Sequence, residues 1–529
     1  ILAQGALHSI TPSRTPALHS TNPPQMSPRG LLLIACAPGL ASSVLVQKRA
    51  QAGVLAEGSE GSAASFLQQR AGQRGAAAVP FWPVKGGNLN HSGFARFTAP
   101  FDLSRPSWTF EEPRRHEKMI GSNMKVFHSS PVIDADYNVY IQSTTGFLYS
   151  LDKKGQLRWE FKTSATNPGN LALDGSSVYT IADDGTAVAV DTATGRERWR
   201  NKVAQNAPDD SHSVTVAGDT LVTACNFHNS TQLSDSVCAL RTDDGKLKWI
   251  FGMREASRRG DAMACNQMQS VVQGNVLFSD DFGALFAVSL ADGKEVWHTQ
   301  NVTSMKRIGD THGMYPYGTT ATAVVGSSGL IYTPFNAESN KGLLRAHRVG
   351  DGGLVWERSF DTELNVAPAV GSLPSGRSVV VLPCGNNPNP VAMNALETAL
   401  YHANVLKPVV SKVVAMDALT GETLWSFTLP KWDGRCAGSH YSPNDPSGDL
   451  CAPDNFGTPT VGADGTVYLN WSGGYAYAVR DENGDGVIDA SDPKEVSSYH
   501  HGYGSNGATA LAPGFAVAPS CRKLIAWAA

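Results

Sequence analysis

The sequence has little net charge, no long apolar run and none of the short motifs that mark common active sites. Its 43 Lys and Arg residues nearly balance its 47 Asp and Glu residues, and the net charge of −4 gives no electrostatic basis for binding nucleic acid. No apolar run reaches the roughly 18 residues that a membrane-spanning helix needs. A nucleophile elbow, a phosphate-binding loop and a zinc-ligand spacing are all missing from the sequence. We therefore assign no catalytic residue from motifs.

Turn-forming residues, in contrast, are abundant. The chain has 52 glycines and 30 prolines, spread between short apolar runs. This distribution is typical of many turns rather than of disorder. A composition with 41% hydrophobic and 17% charged residues is that of a globular protein. The length of 529 residues allows two or three ordinary domains or one large all-β domain.

The amino-terminal residues 1–80 lack this periodicity. Met26 opens the stretch MSPRGLLLIACAPGLASSVLV, which has the pattern of a secretory signal. We predict a leader and signal peptide over residues 1–45, with Met26 as the start, and a low-complexity linker over residues 46–80. A poorly ordered apolar tail is one alternative. Another is a lipobox at LIAC, which would make Cys36 a lipid anchor and attach the protein to a membrane.

The eight cysteines agree with export. Cys225 and Cys238 flank a polar hairpin loop, and Cys436 and Cys451 bracket a polar loop of the same kind. A disulfide in either place would restrict the unfolded chain, so both pairs are predicted. The spacing leaves the pairing of three others open: Cys265, Cys384 and Cys521.

Six segments repeat one pattern, in which a glycine precedes a tryptophan by four residues. They are GQLRW at 155–159, GRERW at 195–199, GKLKW at 245–249, GKEVW at 293–297, GGLVW at 352–356 and GETLW at 421–425. Alternating strands precede each segment, so each unit is a meander of about four short strands. The tryptophans are 40 to 69 residues apart, as in the blades of a propeller.

Two weaker units and one isolated strand complete the ring. Residues 458–479 begin a seventh unit, and residues 507–527 supply three strands of an eighth. The segment SWTFE at 107–111 has the pattern of a fourth strand with no strands before it. Joining it to the last unit closes the ring and leaves no free sheet edge. We predict an all-β, eight-bladed propeller over residues 82–529, with this segment as the latch strand.

The units VYTIADDGTAVAVDTATGRERW and VVAMDALTGETLW resemble the pyrroloquinoline-quinone (PQQ) repeat, and FWPVKGGNLNHSG at 81–93 resembles its usual lead-in. Two groups share that repeat: quinoprotein alcohol dehydrogenases and the bacterial outer-membrane barrel-assembly lipoprotein BamB. The dehydrogenases imply PQQ over a tryptophan floor, a vicinal disulfide, Ca²⁺ and an aspartate base. This chain has neither a Cys-Cys pair nor a haem-attachment motif. We interpret Asp280 and Asp281 as hairpin-turn residues, so the site motifs do not support PQQ.

The loops indicate where binding occurs. In a propeller, the turns between the second and third strands share one face with the connections between blades. The segments on that face are long: 252–268, 304–318, 431–455 and 385–412, the last with a short helix near 391–403. Long loops on a rigid scaffold commonly carry binding sites. We expect a protein or glycan partner there, and no chemistry for His312, His500 or His501.

The segment DENGDGVIDASD at 481–492 matches a calcium loop of the EF-hand type. The pattern predicts oxygen ligands from Asp481, Asn483, Asp485, the Val487 carbonyl, Asp489 (directly or through a water) and Asp492. It replaces the link between the third and fourth strands of blade seven, on the face opposite the long loops. With no flanking helix pair, we expect a structural Ca²⁺ ion rather than a sensor.

These features predict an exported, non-catalytic propeller that binds a partner through its long-loop face and holds one structural Ca²⁺. The first alternative is a PQQ-dependent alcohol or sugar dehydrogenase with a divergent site. The second is a membrane-tethered scaffold for outer-membrane assembly, which depends on a lipid at Cys36.

Overall fold

The computed structural model describes residues 78–114, 127, 129–163, 169–207, 212–227, 235–253, 267–300, 321–338, 341–385, 411–432, 436–438, 455–505 and 507–529. All of them belong to one compact unit, residues 63–529. The predicted leader, signal peptide and Cys36 lie outside the described residues, as do nearly all of the linker and of the long loops. Among the described residues, no helix is long and apolar enough to cross a membrane.

The described strands form eight antiparallel four-stranded sheets, seven of which are meanders of consecutive strands. The strands of blades one to four are β2 Val132–Ile133, β3 Val139–Gln142, β4 Phe147–Leu151, β5 Leu157–Lys162, β6 Ala172–Leu173, β7 Ser177–Ile181, β8 Thr186–Asp191, β9 Glu197–Lys202, β10 Val214–Ala217, β11 Thr220–Cys225, β12 Ser236–Arg241, β13 Leu247–Gly252, β14 Ser270–Val272, β15 Asn275–Ser279, β16 Leu285–Ser289 and β17 Glu295–His298.

Blades five to eight follow the same order. Their strands are β18 Val324–Val325, β19 Leu330–Glu338, β20 Lys341–Arg348, β21 Leu354–Phe360, β22 Ala369–Ser372, β23 Ser378–Cys384, β24 Lys412–Asp417, β25 Thr423–Thr428, β26 Thr460–Val461, β27 Val467–Trp471, β28 Tyr475–Val479, β29 Val496–His500, β30 Ala510–Ala512, β31 Phe515–Pro519 and β32 Lys523–Ala528. The predicted all-β, eight-bladed propeller is therefore confirmed.

The eighth blade is closed by the amino-terminal strand β1 (Trp108–Glu111), as predicted. It pairs antiparallel with β32, with Trp108 opposite Ala526 and Glu111 opposite Lys523. The order β1-β32-β31-β30 joins both ends of the propeller in one sheet. This pairing covers the edge that β32 would otherwise expose.

Tryptophans in the outer strands join six of the eight blades to the blade that follows. Each of six indoles donates its Nε1 hydrogen to a main-chain oxygen in the following blade: Trp108, Trp159, Trp199, Trp249, Trp297 and Trp356. The indole also lies against that blade's repeat glycine. A Cβ atom on Gly195, for example, would lie 2.7 Å from the Trp159 ring, and the backbone there has φ +68°. The Gly-to-Trp spacing thus encodes contacts between blades.

The lead-in segment, residues 82–98, follows the inner strands around the whole ring; we call it the collar. It contacts at least one residue in each of the eight blades: Ile133, Leu173, Thr215, Val271, Val325, Val370, Val461 and Gly514. At its centre, the buried His91 has Nδ1 2.6 Å from the Lys85 oxygen and Nε2 2.8 Å from Thr215 Oγ1. Burial lowers the pKa of His91 to about 4, which keeps this imidazole neutral.

The contact between blades can be tested with a matched pair of glycines. Gly195 and Gly218 both have positive φ, but a Cβ on Gly218 would meet nothing within 4 Å. We expect Gly195→Ala to lower the free energy of unfolding by about 2–4 kcal/mol, through backbone strain and the clash with Trp159. We expect Gly218→Ala to cost about 1 kcal/mol, through backbone strain alone. Equal losses in urea-induced unfolding would contradict the proposed tryptophan contact.

Candidate functional site

One end of the ring, which we call the loop face, carries the turns between second and third strands and the connections between blades. Because consecutive strands are antiparallel, the start of an inner strand lies beside the end of the second strand of its blade. In blade four, Gln267 precedes the inner strand, and its Nε2 lies 3.3 Å from the Ser279 oxygen at the end of β15. The predicted long loops connect elements at this face, although most of their residues lie outside the described residues.

Buried polar side chains line the inner edge of the loop face, and we call them the polar ring. Its members precede or begin the inner strands: Ser130, Asn170, Ser213, Gln267, Thr322, Asn365, Asn455 and Thr460. They connect neighbouring blades. The Ser130 amide donates to Asn170 Oδ1 at 2.8 Å, and Ser130 Oγ accepts from the Ala508 amide at 2.9 Å. Further along the ring, the Ser213 amide donates to the Gln267 oxygen at 2.9 Å.

Asp280 lies beside the polar ring, in the turn between β15 and β16, and is 2% exposed. Its Oδ1 accepts the amides of Phe282 and Ala284 at 3.0 and 2.7 Å. Its Oδ2 is fully enclosed and has no hydrogen-bond partner in the described part of the chain. Burial raises the pKa of Asp280 from 3.8 to about 7, and the turn amides oppose this shift. A buried carboxyl that titrates near neutrality is typical of functional sites.

Hydrogen-bond register explains why the sequence did not single out Asp280. The turn of blade two has the sequence ADDG, and the turn of blade four has the sequence SDDFG. When the two Asp-Asp pairs are aligned by sequence, Asp280 corresponds to Asp183. In the structure, the Asp280 amide donates to the Ala284 oxygen as the Ala182 amide donates to the Thr186 oxygen. Asp280 therefore occupies the position of Ala182. It is a turn residue, as interpreted, but at the buried position of that turn.

The other histidines and cysteines contribute less to this face. Burial lowers the pKa of His501 to about 3, and His312 lies outside the described residues. The predicted Cys225–Cys238 disulfide is present. Cys451 and Cys265 lie outside the described residues, so the Cys436–Cys451 pair stays a prediction. Cys436 is buried beside Cys521. Cys521 is disulfide-bonded. Burial raises the pKa of the Cys384 thiol to about 12.

The predicted calcium loop connects β28 to β29 on the opposite face. Asp481 accepts the amides of Gly484 and Gly486 at 2.8 and 3.0 Å, and Asp485 Oδ1 accepts the Val487 amide at 2.8 Å. Elsewhere in the loop, Asn483 and Asp492 also accept nearby amides, and Asp489 accepts from Ser491. Within the described residues, no three His, Cys, Asp or Glu side chains are grouped to hold a metal ion. Calcium here remains a prediction.

This loop replaces the glycine contact between blades six and seven. Val487 forms a parallel β-bridge with Ser426 in the outer strand of blade six. Ile488 is 8% exposed and packs in the same hydrophobic cluster as Trp425. The loop thus contacts the tryptophan-bearing strand of the preceding blade, as a repeat glycine does in other blades.

The disulfide of the described residues is not the vicinal one that the dehydrogenase resemblance implied. The Cys225–Cys238 disulfide joins neighbouring strands inside blade three, with Cα atoms 6.1 Å apart, and is buried. It is not the vicinal pair that would cover a quinone, and the sequence contains no such pair. We therefore propose no reaction step that uses PQQ.

Comparison with known proteins gives two kinds of similarity. The family model described as outer membrane protein assembly factor BamB matches residues 104–325. Tetrathionate hydrolase of Acidithiobacillus ferrooxidans is 25% identical over 281 residues, which cover 49% of this chain and 48% of that protein. The match therefore spans about half the length of this curated relative.

Solved structures extend the similarity to most of the chain. Quinohemoprotein alcohol dehydrogenase from Comamonas testosteroni has a TM-score of 0.59 and 12% identity, covering 88% of this chain and 82% of its own. BamB from Moraxella catarrhalis has a TM-score of 0.51 and 14% identity, covering 81% and 100%. These identities show the fold alone. The chain is an eight-bladed β-propeller, and its residues 104–325 match the BamB family model.

Proposed function

We propose that the loop face is an active site at which Asp280 transfers a proton during hydrolysis of a small anionic substrate. The observation that carries this proposal is the enclosed carboxyl with one unpartnered oxygen, Asp280 Oδ2. A neutral Asp280 does not repel an anion, and it can give its proton to a leaving group. A pKa of about 7 makes both possible below neutral pH.

The likeness to tetrathionate hydrolase suggests the substrate class. Tetrathionate is a dianion with sulfur–sulfur bonds. Attack of water on one inner sulfur breaks the central bond, so that thiosulfate leaves with a proton and the other half keeps the hydroxyl group as a sulfenic acid. Protonated Asp280 is suited to assist that departure, because a donated proton offsets the negative charge that develops on the leaving sulfur. We extend the proposal to tetrathionate and related sulfur oxyanions. The buried Cys225–Cys238 disulfide agrees with an oxidising compartment outside the cytoplasm.

Hydrolysis is tested by incubating the full chain with tetrathionate and measuring released thiosulfate between about pH 5 and pH 8. We expect turnover that falls as pH rises through about 7, because the proton donor is then lost. Asp280→Asn should reduce kcat by about a hundredfold or more. The control is Asp184→Asn, in the exposed part of the equivalent turn of blade two. Asp280→Asn with unchanged kcat would contradict the proposal.

The same carboxyl predicts how stability depends on pH. The folded state raises the pKa of Asp280 above its unfolded value, so it binds the proton more tightly than the unfolded chain does. Stability from this group is therefore full below about pH 4 and declines as pH rises to about 7. We expect Asp280→Asn to melt above the wild type at pH 8 and to equal it near pH 4. A lower melting temperature at pH 8 would show that the carboxylate stabilises the fold.

The second candidate is the partner-binding scaffold predicted from the sequence, exported and without catalysis. The BamB family match and the BamB structure support it. The rigid ring would present its loop face to a protein. Tethering to a membrane through Cys36 would extend this role. An inactive wild type that captures one stoichiometric protein partner, with capture unaffected by Asp280→Asn, would favour the scaffold over the hydrolase.

We also propose a structural Ca²⁺ ion in the loop of blade seven, bound through Asp481, Asn483 and Asp485. The turn hydrogen bonds of Asp481 and the contacts of Val487 and Ile488 with blade six support this role. A ligand that binds the folded state alone, with a Kd near 10⁻⁴ M and about 1 mM Ca²⁺, adds roughly 1.4 kcal/mol.

Chelation should therefore lower the melting temperature by a few degrees and leave the far-UV circular dichroism unchanged. Asp481→Asn should reproduce the lower melting temperature and remove its response to Ca²⁺. A wild-type melting temperature that does not respond to Ca²⁺ would contradict the structural ion.

A further inference from the structure

Glu495 is a buried acid just beyond the predicted calcium loop. It directly precedes β29 and is 1% exposed. Its Oε2 accepts the amide of Asp489, a loop residue, at 2.7 Å. Its Oε1 is enclosed and has no hydrogen-bond partner among the described residues. An enclosed carboxylate oxygen without a donor is costly, so a cation bound beside Oε1 would stabilise the folded chain.

No basic side chain in the described part of the chain supplies that positive charge. The ion pairs of the described residues do not include Glu495. The basic residue at the start of the loop, Arg480, is paired with Asp464 at 3.5 Å and with Glu482 at 2.7 Å. The oxygen that lacks a partner therefore lies beside a loop already rich in carboxylates, where a divalent cation would compensate both.

The chain folds so that Glu495 returns to the loop. The Glu495 amide donates to the Asp492 oxygen at 3.0 Å, which forms a tight turn after the twelfth loop position. Asp492 itself accepts the Lys494 amide through Oδ1 at 2.8 Å. Its side chain is one methylene shorter than that of glutamate. The longer, buried side chain is better placed to close a site against the loop.

We propose that Glu495, rather than Asp492, is the carboxylate that completes the calcium site. Asp481, Asn483 and Asp485 would supply the first ligands and Glu495 Oε1 the last, while Oε2 keeps its bond to the Asp489 amide. The ligand is a hard divalent cation of the size of Ca²⁺, which accepts six to eight oxygens. This inference rests on the calcium site proposed above and extends that loop from twelve residues to the fifteen from Asp481 to Glu495.

The test compares Glu495→Gln with Asp492→Asn in the full chain, using calcium titration calorimetry and thermal melting. Glutamine keeps an acceptor for the Asp489 amide, so the fold is retained. We expect Glu495→Gln to weaken Ca²⁺ binding at least tenfold and Asp492→Asn to change it less than threefold. In chelator, Glu495→Gln should melt at or above the wild type, because a buried charge is removed. In about 1 mM Ca²⁺ it should melt below the wild type.

Asp481→Asn serves as the reference for loss of the site. Loss of binding in Asp481→Asn with wild-type affinity in Glu495→Gln would retain the calcium site and overturn the role of Glu495. A lower melting temperature of Glu495→Gln in chelator and calcium alike would show a purely hydrogen-bonding role, which also overturns the inference. A wild type that binds no Ca²⁺ by either measurement would refute the calcium site itself.

Discussion

Closure of the ring is the constraint on which the rest of the structure depends. A blade of four short strands has two apolar faces and cannot bury them alone, so each blade needs a neighbour on both sides. On the outer side, an indole from one blade rests on the glycine of the next, as Trp159 does on Gly195. On the inner side, the collar bonds to residues of all eight blades. The latch strand β1 completes the circle at β32.

Rigid closure allows the protein to tolerate unfavourable groups at its loop face. An enclosed carboxyl such as Asp280 lowers stability at neutral pH, because ionisation in an apolar surrounding is disfavoured. The hydrogen bonds of the polar ring join blade to blade and hold that face in place, as between Ser213 and Gln267. On the opposite face, another contact replaces the one that a missing repeat glycine would make. Blade seven lacks the repeat glycine, and its loop packs Ile488 beside Trp425 instead.

Features encoded by local spacing could be predicted from the sequence. The Gly-to-Trp offset identified the blades, the unpaired SWTFE segment identified the latch, and a polar hairpin loop identified the Cys225–Cys238 disulfide. The collar was not predicted, because residues 82–98 have no periodicity and their partners lie up to several hundred residues away. Hydrogen-bonding patterns of that range are invisible to a local sequence pattern.

Two candidate functional residues were hidden for related reasons. Asp280 shares the letters of an exposed turn, and the hydrogen-bond register alone shows that it occupies the buried position of Ala182. Glu495 lies three residues beyond the twelve-residue calcium pattern, so a search of that pattern ends before reaching it. In both cases the signal is an enclosed oxygen without a partner among the described residues. An enclosed oxygen of this kind can be recognised only in the three-dimensional structure.

The proposed hydrolysis depends on an Asp280 carboxyl that keeps its proton to near neutral pH at the loop face. Infrared difference spectra of wild type minus Asp280→Asn test it directly, because a protonated carboxyl and a carboxylate absorb at different frequencies. We expect a carboxylic-acid band of Asp280 at about pH 5 that converts to a carboxylate band with a midpoint near pH 7. A carboxylate band that persists down to about pH 4, close to the ordinary aspartate pKa, would show that Asp280 is ionised and would contradict its role as a proton donor.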